Sequence, residues 1–116
     1  MRENEGEAVL NVIGDGRARQ VLFATRQEPC SAKEISDRTG ISLPTVYRRL
    51  EELREYDLIR SEMRAAADGN HYEVFTCNFD ETRVSLEDEG YDVVVERRED
   101  ITERFVELWD DLAGEP

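Results

Sequence analysis

Apolar residues recur at helical spacing near the start of the chain: Ala8, Val9, Val12 and Ile13 share one face of residues 6–13, and Gly14-Asp15-Gly16 breaks the pattern. Residues 17–26 repeat it with Ala18, Val21, Leu22 and Thr25, and Glu28-Pro29 ends that segment, since the residue before proline is pushed out of the α region. Ser31-Ala32-Lys33-Glu34 then reads as a capping box opening a short helix with Ala32 and Ile35 inward. Gly40 suits the left-handed position that closes it. Ser42 is placed to cap a further helix, with Pro44 in its first turn, and Val46, Leu50 and Leu53 form one apolar stripe.

After Leu58 the texture changes. Residues 59–63 and 71–76 read as strands around the turn signal Asp68-Gly69-Asn70, and residues 82–86 and 91–97 as a second hairpin around Glu87-Asp88-Glu89-Gly90. Ile101, Phe105, Leu108, Trp109 and Leu112 return to helical spacing over 100–114. A Trp and a Phe on one such face need a covering surface. Packing back on Val9, Val12 and Ile13 is one solution; a two-fold helix–helix interface is the favoured one.

Two capped helices joined by a glycine turn form a helix-turn-helix pattern. Small Ser36 permits close approach, Ile41 plugs the angle, and Val46 and Leu50 seat the second helix. At about 100° per residue, Arg48 points away from that stripe. Thr45 and Tyr47 flank it, and Arg49 lies nearer the core edge. A hydroxyl, a phenol and guanidinium groups at a helix start are what major-groove readers use, because arginine forks onto guanine or phosphate.

Charge first opposes and then supports nucleic acid as the partner. The chain of 116 residues carries 28 acidic and 15 basic groups, a formal charge of −13. Residues 65–116 hold sixteen of the acids and four arginines, whereas residues 31–64 balance seven against seven. The stretch 42–50 has two arginines and no acid. Such asymmetry leaves one half free of repulsion for an anionic partner. Lys33 is the only lysine. Scarce lysine beside abundant acid resembles proteins from organisms with molar internal salt, such as halophilic archaea, where screening lowers self-repulsion; an ordinary acidic cytosolic protein is the plainer alternative.

Residues 31–57, followed by Leu58-Ile59-Arg60 and a hairpin ending His71-Tyr72-Glu73-Val74-Phe75, resemble the winged helix-turn-helix of the ArsR-like transcription regulators, particularly their small haloarchaeal relatives. The similarity covers about residues 6–76. It implies an α+β fold: a winged helix-turn-helix with an extra C-terminal β-hairpin and a C-terminal dimerisation helix. The expected division is a DNA-binding domain over 1–76 and a hairpin-plus-helix segment over 77–116. The implied function is sequence-specific binding of double-stranded DNA by a homodimer that regulates transcription. The recognition helix (about 42–56) enters the major groove and the wing (about 59–76) touches the backbone. Carried onto this chain, Ser42, Thr45, Tyr47, Arg48 and Arg49 face DNA, and Arg60, Arg64 and His71 are wing contacts. Ile101, Phe105, Leu108, Trp109 and Leu112 are the expected dimer interface. The Cys-x-Cys motif of metal-sensing members does not occur in this chain, so metal sensing is not carried over.

No catalytic constellation is recognisable, so no enzyme activity and no cofactor are expected. His71 is a single imidazole, and the acidic clusters Glu87-Asp88-Glu89 and Asp110-Asp111 lack calcium-loop spacing. Cys30 reads as core; Cys77, the thiol more open to chemistry of the two, still reads first as strand packing. Two alternatives stand beside the DNA reading: a winged-helix protein–protein adaptor, and a thiol-based redox-responsive regulator using Cys77. The second hairpin could equally hold a small-molecule effector. No apolar run is long enough to span a bilayer and the N-terminus lacks a signal-peptide core, so a cytoplasmic location is expected.

Overall fold

The computed structural model describes residues 5–113, without the side chains of 100–104. Helix α1 (Glu5–Ile13) runs into α2 (Gly16–Gln27) through a turn where the Asp15 carboxylate accepts the N–H groups of Arg17 (2.8 Å) and Ala18 (3.0 Å). Helix α3 (Ala32–Thr39) has the expected capping box: Ser31 Oγ accepts from Glu34 N–H (3.1 Å), and Glu34 Oε1 accepts from Ser31 N–H (2.8 Å). Gly40, at φ +77°, closes α3 in the left-handed region that a side chain would strain. Ser36 Oγ donates to the Ile41 carbonyl (2.6 Å), which sets the angle between the two helices.

Helix α4 (Leu43–Glu55) buries Val46, Leu50 and Leu53, the predicted stripe. One detail differs. Ser42 occupies the cap position but its hydroxyl makes no bond to the helix backbone; it donates to Thr45 Oγ1 instead (3.0 Å). Because Pro44 lies in the first turn and has no N–H, fewer donors there need a cap.

Strands β1 (Ile59–Ala65) and β2 (His71–Cys77) form the first hairpin, with Ile59 opposite Cys77 and Ala65 opposite His71. A feature not foreseen joins them: Cys30 pairs with Phe75 as a one-residue third strand, through N–H···O bonds of 3.0 and 2.7 Å. The core gathers between α1–α4 and the root of this hairpin, around Val9, Val21, Ile35, Leu53, Leu58 and Phe75.

Strands β3 (Phe79–Glu87) and β4 (Gly90–Arg97) form a separate two-stranded sheet. Its apolar face pairs Thr82, Val84 and Leu86 with Val95, Val93 and Tyr91. Helix α1 packs on the middle of that face so closely that a Cβ on Gly6 would lie 2.8 Å from Val93 Cβ. Leu86 and Tyr91 near the turn stay exposed.

Helix α5 (Arg98–Ala113) follows β4 with no linker. Asn78 fixes its start, its carbonyl accepting Arg98 N–H (2.7 Å) and its Oδ1 accepting Glu99 N–H (3.2 Å). Every described side chain from 105 to 113 is exposed. Phe105, Leu108, Trp109 and Leu112 are therefore not packed on Val9, Val12 and Ile13, the intramolecular alternative. The side chain of Ile101, assigned to the same stripe, lies outside the described residues. The Cα radius of gyration is 17.1 Å, against about 13 Å for a compact chain of this length, as projecting elements require.

Candidate nucleic-acid interface

The start of α4 carries a short polar chain. Thr45 Oγ1 accepts from Ser42 Oγ (3.0 Å) and from Arg48 Nη2 (3.3 Å), so the three residues line the face opposite Val46, Leu50 and Leu53. Among the described residues, Arg48 meets no carboxylate. Every other arginine of residues 31–64 does. Arg38 pairs with Glu28, Arg49 with Asp15 and Glu52, Arg54 with Glu73, Arg60 with Asp57 and Glu99, and Arg64 with Glu62. Glu51 and Glu52 lie one turn beyond it, but the Arg48 guanidinium turns back toward Thr45 and Arg49 takes Glu52 instead.

Tyr47, exposed at 53%, turns toward the first hairpin. It lines two adjoining clefts, one with Pro44, Arg48, Glu51, Arg54 and Phe75, the other with Ser31, Lys33 and Tyr72, and Glu73 borders both. Helix α4, the start of α3 and the first hairpin thus share one concave face. Arg54, which sequence reasoning passed over, braces it. Its guanidinium donates to Glu73 Oε2 (2.9 Å) and Ser61 Oγ (3.2 Å) and stacks 5.5 Å from the Phe75 ring centre. The signal was available in the helical repeat, since Arg54 lies seven residues beyond Tyr47 on the same face.

Two of the expected contacts make ion pairs across the fold. Arg49 is 17% exposed at its side chain and ties α4 to α2, pairing with Asp15 (3.2 Å) and Glu52 (3.1 Å). Arg60 sits opposite Thr76 at the root of the wing, held by Asp57 (3.1 Å) and Glu99 beside the start of α5. Spacing places a residue on a face; it does not reveal which carboxylate the fold brings across. Arg64 and His71 lie at the wing's far end, opposite Tyr72 and Ala65, and both are exposed.

Asp15 links the helix-turn-helix to α2. The Ala18 N–H, opposed by partial desolvation and helped by Arg49 and the Arg17 N–H, holds its carboxyl below the ordinary 3.8. With the folded value depressed, this stabilisation is present above about pH 4 and is lost as pH falls through the folded pKa. Asp15→Ala is expected to cost about 1 kcal/mol at pH 7, mainly the cap, because an ion pair this solvated adds little. Urea unfolding at pH 7 and pH 3 checks this: the gap between wild type and variant should narrow at pH 3, and an unchanged gap refutes it.

Cys77 is packed at the end of its strand, which disfavours the thiol alternative. It is 5% exposed, its thiol faces the Phe79 carbonyl, and burial pushes its pKa up, so the reactive thiolate is disfavoured. Cys30 is fully buried and also raised by desolvation, as a core residue should be. Among the described residues no three His, Cys, Asp or Glu side chains cluster as a metal site would require, and no helix is long and apolar enough to cross a membrane.

Residues 15–62 match the family of the helix-turn-helix domain, from the Asp15 cap through α4 and into the wing. No curated protein matches the chain.

Proposed function

We propose that this chain, whose residues 15–62 form a helix-turn-helix domain, is a homodimeric transcription regulator that binds double-stranded DNA. The start of α4 enters the major groove and the wing lies on the backbone. Arg48 carries the reading. Among the described residues it is the arginine of 31–64 left without a carboxylate partner, displayed beside Thr45, Ser42 and Tyr47 in a stretch, 42–50, that holds no acid although the chain carries a charge of −13. An exposed guanidinium held by a hydroxyl is preorganised for a base edge or a phosphate. Arg64 and His71 suit backbone contact from the wing. Arg49 and Arg60 act earlier, by bracing the helix and the wing root.

The ArsR-like resemblance, the haloarchaeal type and a cytoplasmic site of action belong to the same reading. The acid excess and single lysine support high internal salt. There the counterion-release contribution to binding shrinks, and directional contacts at Arg48, Thr45 and Tyr47 carry more of the affinity.

The test is fluorescence anisotropy in molar KCl, with duplexes enriched from genomic fragments. Arg48→Ala should weaken the selected duplex by about 1–3 kcal/mol and relax the preference at one base position. Arg64→Ala should weaken all duplexes alike and reduce the salt slope by about one. Absence of any saturable duplex binding by the wild-type chain at lower salt as well would overturn the reading in favour of a protein adaptor.

A further inference from the structure

We infer that the exposed face of α2, a ridge at Phe23 bordered by arginines, is the seat for helix α5 of a second copy of this chain. This rests on the homodimer proposed above and names the surfaces that form it. Phe23 is 68% exposed although α2 is otherwise a core helix. A depression lies on each side. One, toward β3, has Ile13, Leu22 and Phe79 as its floor with Arg19 and Arg26 at its rim; the other, toward α3, reaches Arg38. Asp80 is the one carboxylate residue lining either depression. Arg19 donates to the Ile13 carbonyl (2.8 Å) and meets no acid among the described residues, and Arg26 stands 3.9 Å from Asp80. This is a cationic, apolar strip on a protein with 28 acids and 15 bases.

Helix α5 has the complementary surface. Phe105, Leu108, Trp109 and Leu112 are spaced i, i+3, i+4, i+7, the anchor pattern of a helix laid in a groove, and are 60–67% exposed. Residues 105–113 carry three acids, Glu107, Asp110 and Asp111, and no base. Two such helices packed on each other would bring acid against acid, whereas Arg19 and Arg26 would border them with the opposite charge, Arg38 being already paired with Glu28. The helix of the same chain points elsewhere. It leaves β4 with no linker, Asn78 and the Arg60–Glu99 pair hold its first turn, and its described side chains from 105 to 113 are exposed. The occupant of the α2 strip is therefore the partner's α5, exchanged reciprocally about a two-fold axis.

The area is adequate. Four large apolar side chains present on the order of 400 Å² per helix. Matched on α2 and repeated by symmetry, they reach about the 1,600 Å² of a standard stable interface. Symmetric closure also uses up both surfaces, which prevents open-ended chains.

The test is light scattering of the full-length chain, with circular dichroism as the check on folding. Phe23→Arg and Trp109→Glu, both at exposed positions, should each leave the fold intact and weaken the dimer on the order of a hundredfold. An equimolar mixture of the two variants should recover dimers, because one contact is then Arg against Glu and the other Phe23 against Trp109. If Trp109→Glu is monomeric but Phe23→Arg stays dimeric, the homodimer stands and this seat is wrong. Monomeric variants that fail to combine also reject the seat. A wild-type monomer rejects both proposals.

Discussion

Trp109→Glu is expected to yield a folded monomer that binds its operator between a hundred and ten thousand times more weakly, roughly the avidity of two linked half-sites. Trp109 is 62% exposed and Phe105 66%, so a charge at 109 disturbs nothing inside the subunit. It does place a carboxylate on a surface that association must dry, where an unpaired charge is costly. A two-fold operator is read by two recognition helices held one turn of DNA apart, and a lone subunit loses that fixed spacing. Light scattering should show the subunit mass, circular dichroism an unchanged native spectrum, and anisotropy the lost affinity. A variant that stays dimeric and binds DNA as the wild type does would remove α5 from the interface.

Leu53→Ala is the largest expected loss of stability, about 2–5 kcal/mol. Leu53 is fully buried with Ile35, Leu58 and Val46, and its carbonyl accepts Leu58 N–H (2.9 Å) where α4 gives way to the wing. Removing its branch leaves a cavity under the recognition helix, between elements whose caps limit collapse. With total stability of roughly 5–15 kcal/mol, the variant retains only part of its margin. Thermal unfolding should shift down by roughly 10–40 °C, since each kcal/mol moves a domain of this size by about 4–8 °C. A shift of only a degree or two would mean that α4 is not seated through this residue. DNA affinity per folded molecule should change little, because Leu53 faces away from Thr45 and Arg48.

These two residues mark different limits of what a sequence discloses. The seat of α4 is a local matter: Val46, Leu50 and Leu53 declare a helical stripe, and Ser31, Glu34, Gly40 and Pro44 declare where helices begin and end. All lie within a few residues of what they act on, and all of these elements are where spacing puts them. The direction of Arg48 was legible for the same reason. The cap at Ser42 was not, because the hydroxyl chose a neighbouring side chain over the helix backbone.

Distances across the chain decided the rest. Arg49 meets Asp15, Arg60 meets Glu99, and Arg54 meets Glu73, pairs separated by 34, 39 and 19 residues. No periodicity predicts such a pairing, since it depends on how helix, wing and hairpin dock. Cys77 was read first as strand packing with a thiol alternative, and the core that lies over it closes that alternative. The exposure of Phe23 and of the α5 stripe is of the same kind. An apolar stripe states that it must be covered, and the chain alone does not say by what.

The amino-acid order by itself determined the succession of helices and hairpins, the turn geometry and the outward arginine of α4, because short-range sterics, capping and amphipathic phase set them. Tertiary packing alone decided which arginines remain available to an anion and which apolar faces remain bare, because both are settled by groups far apart in the chain that meet only after folding.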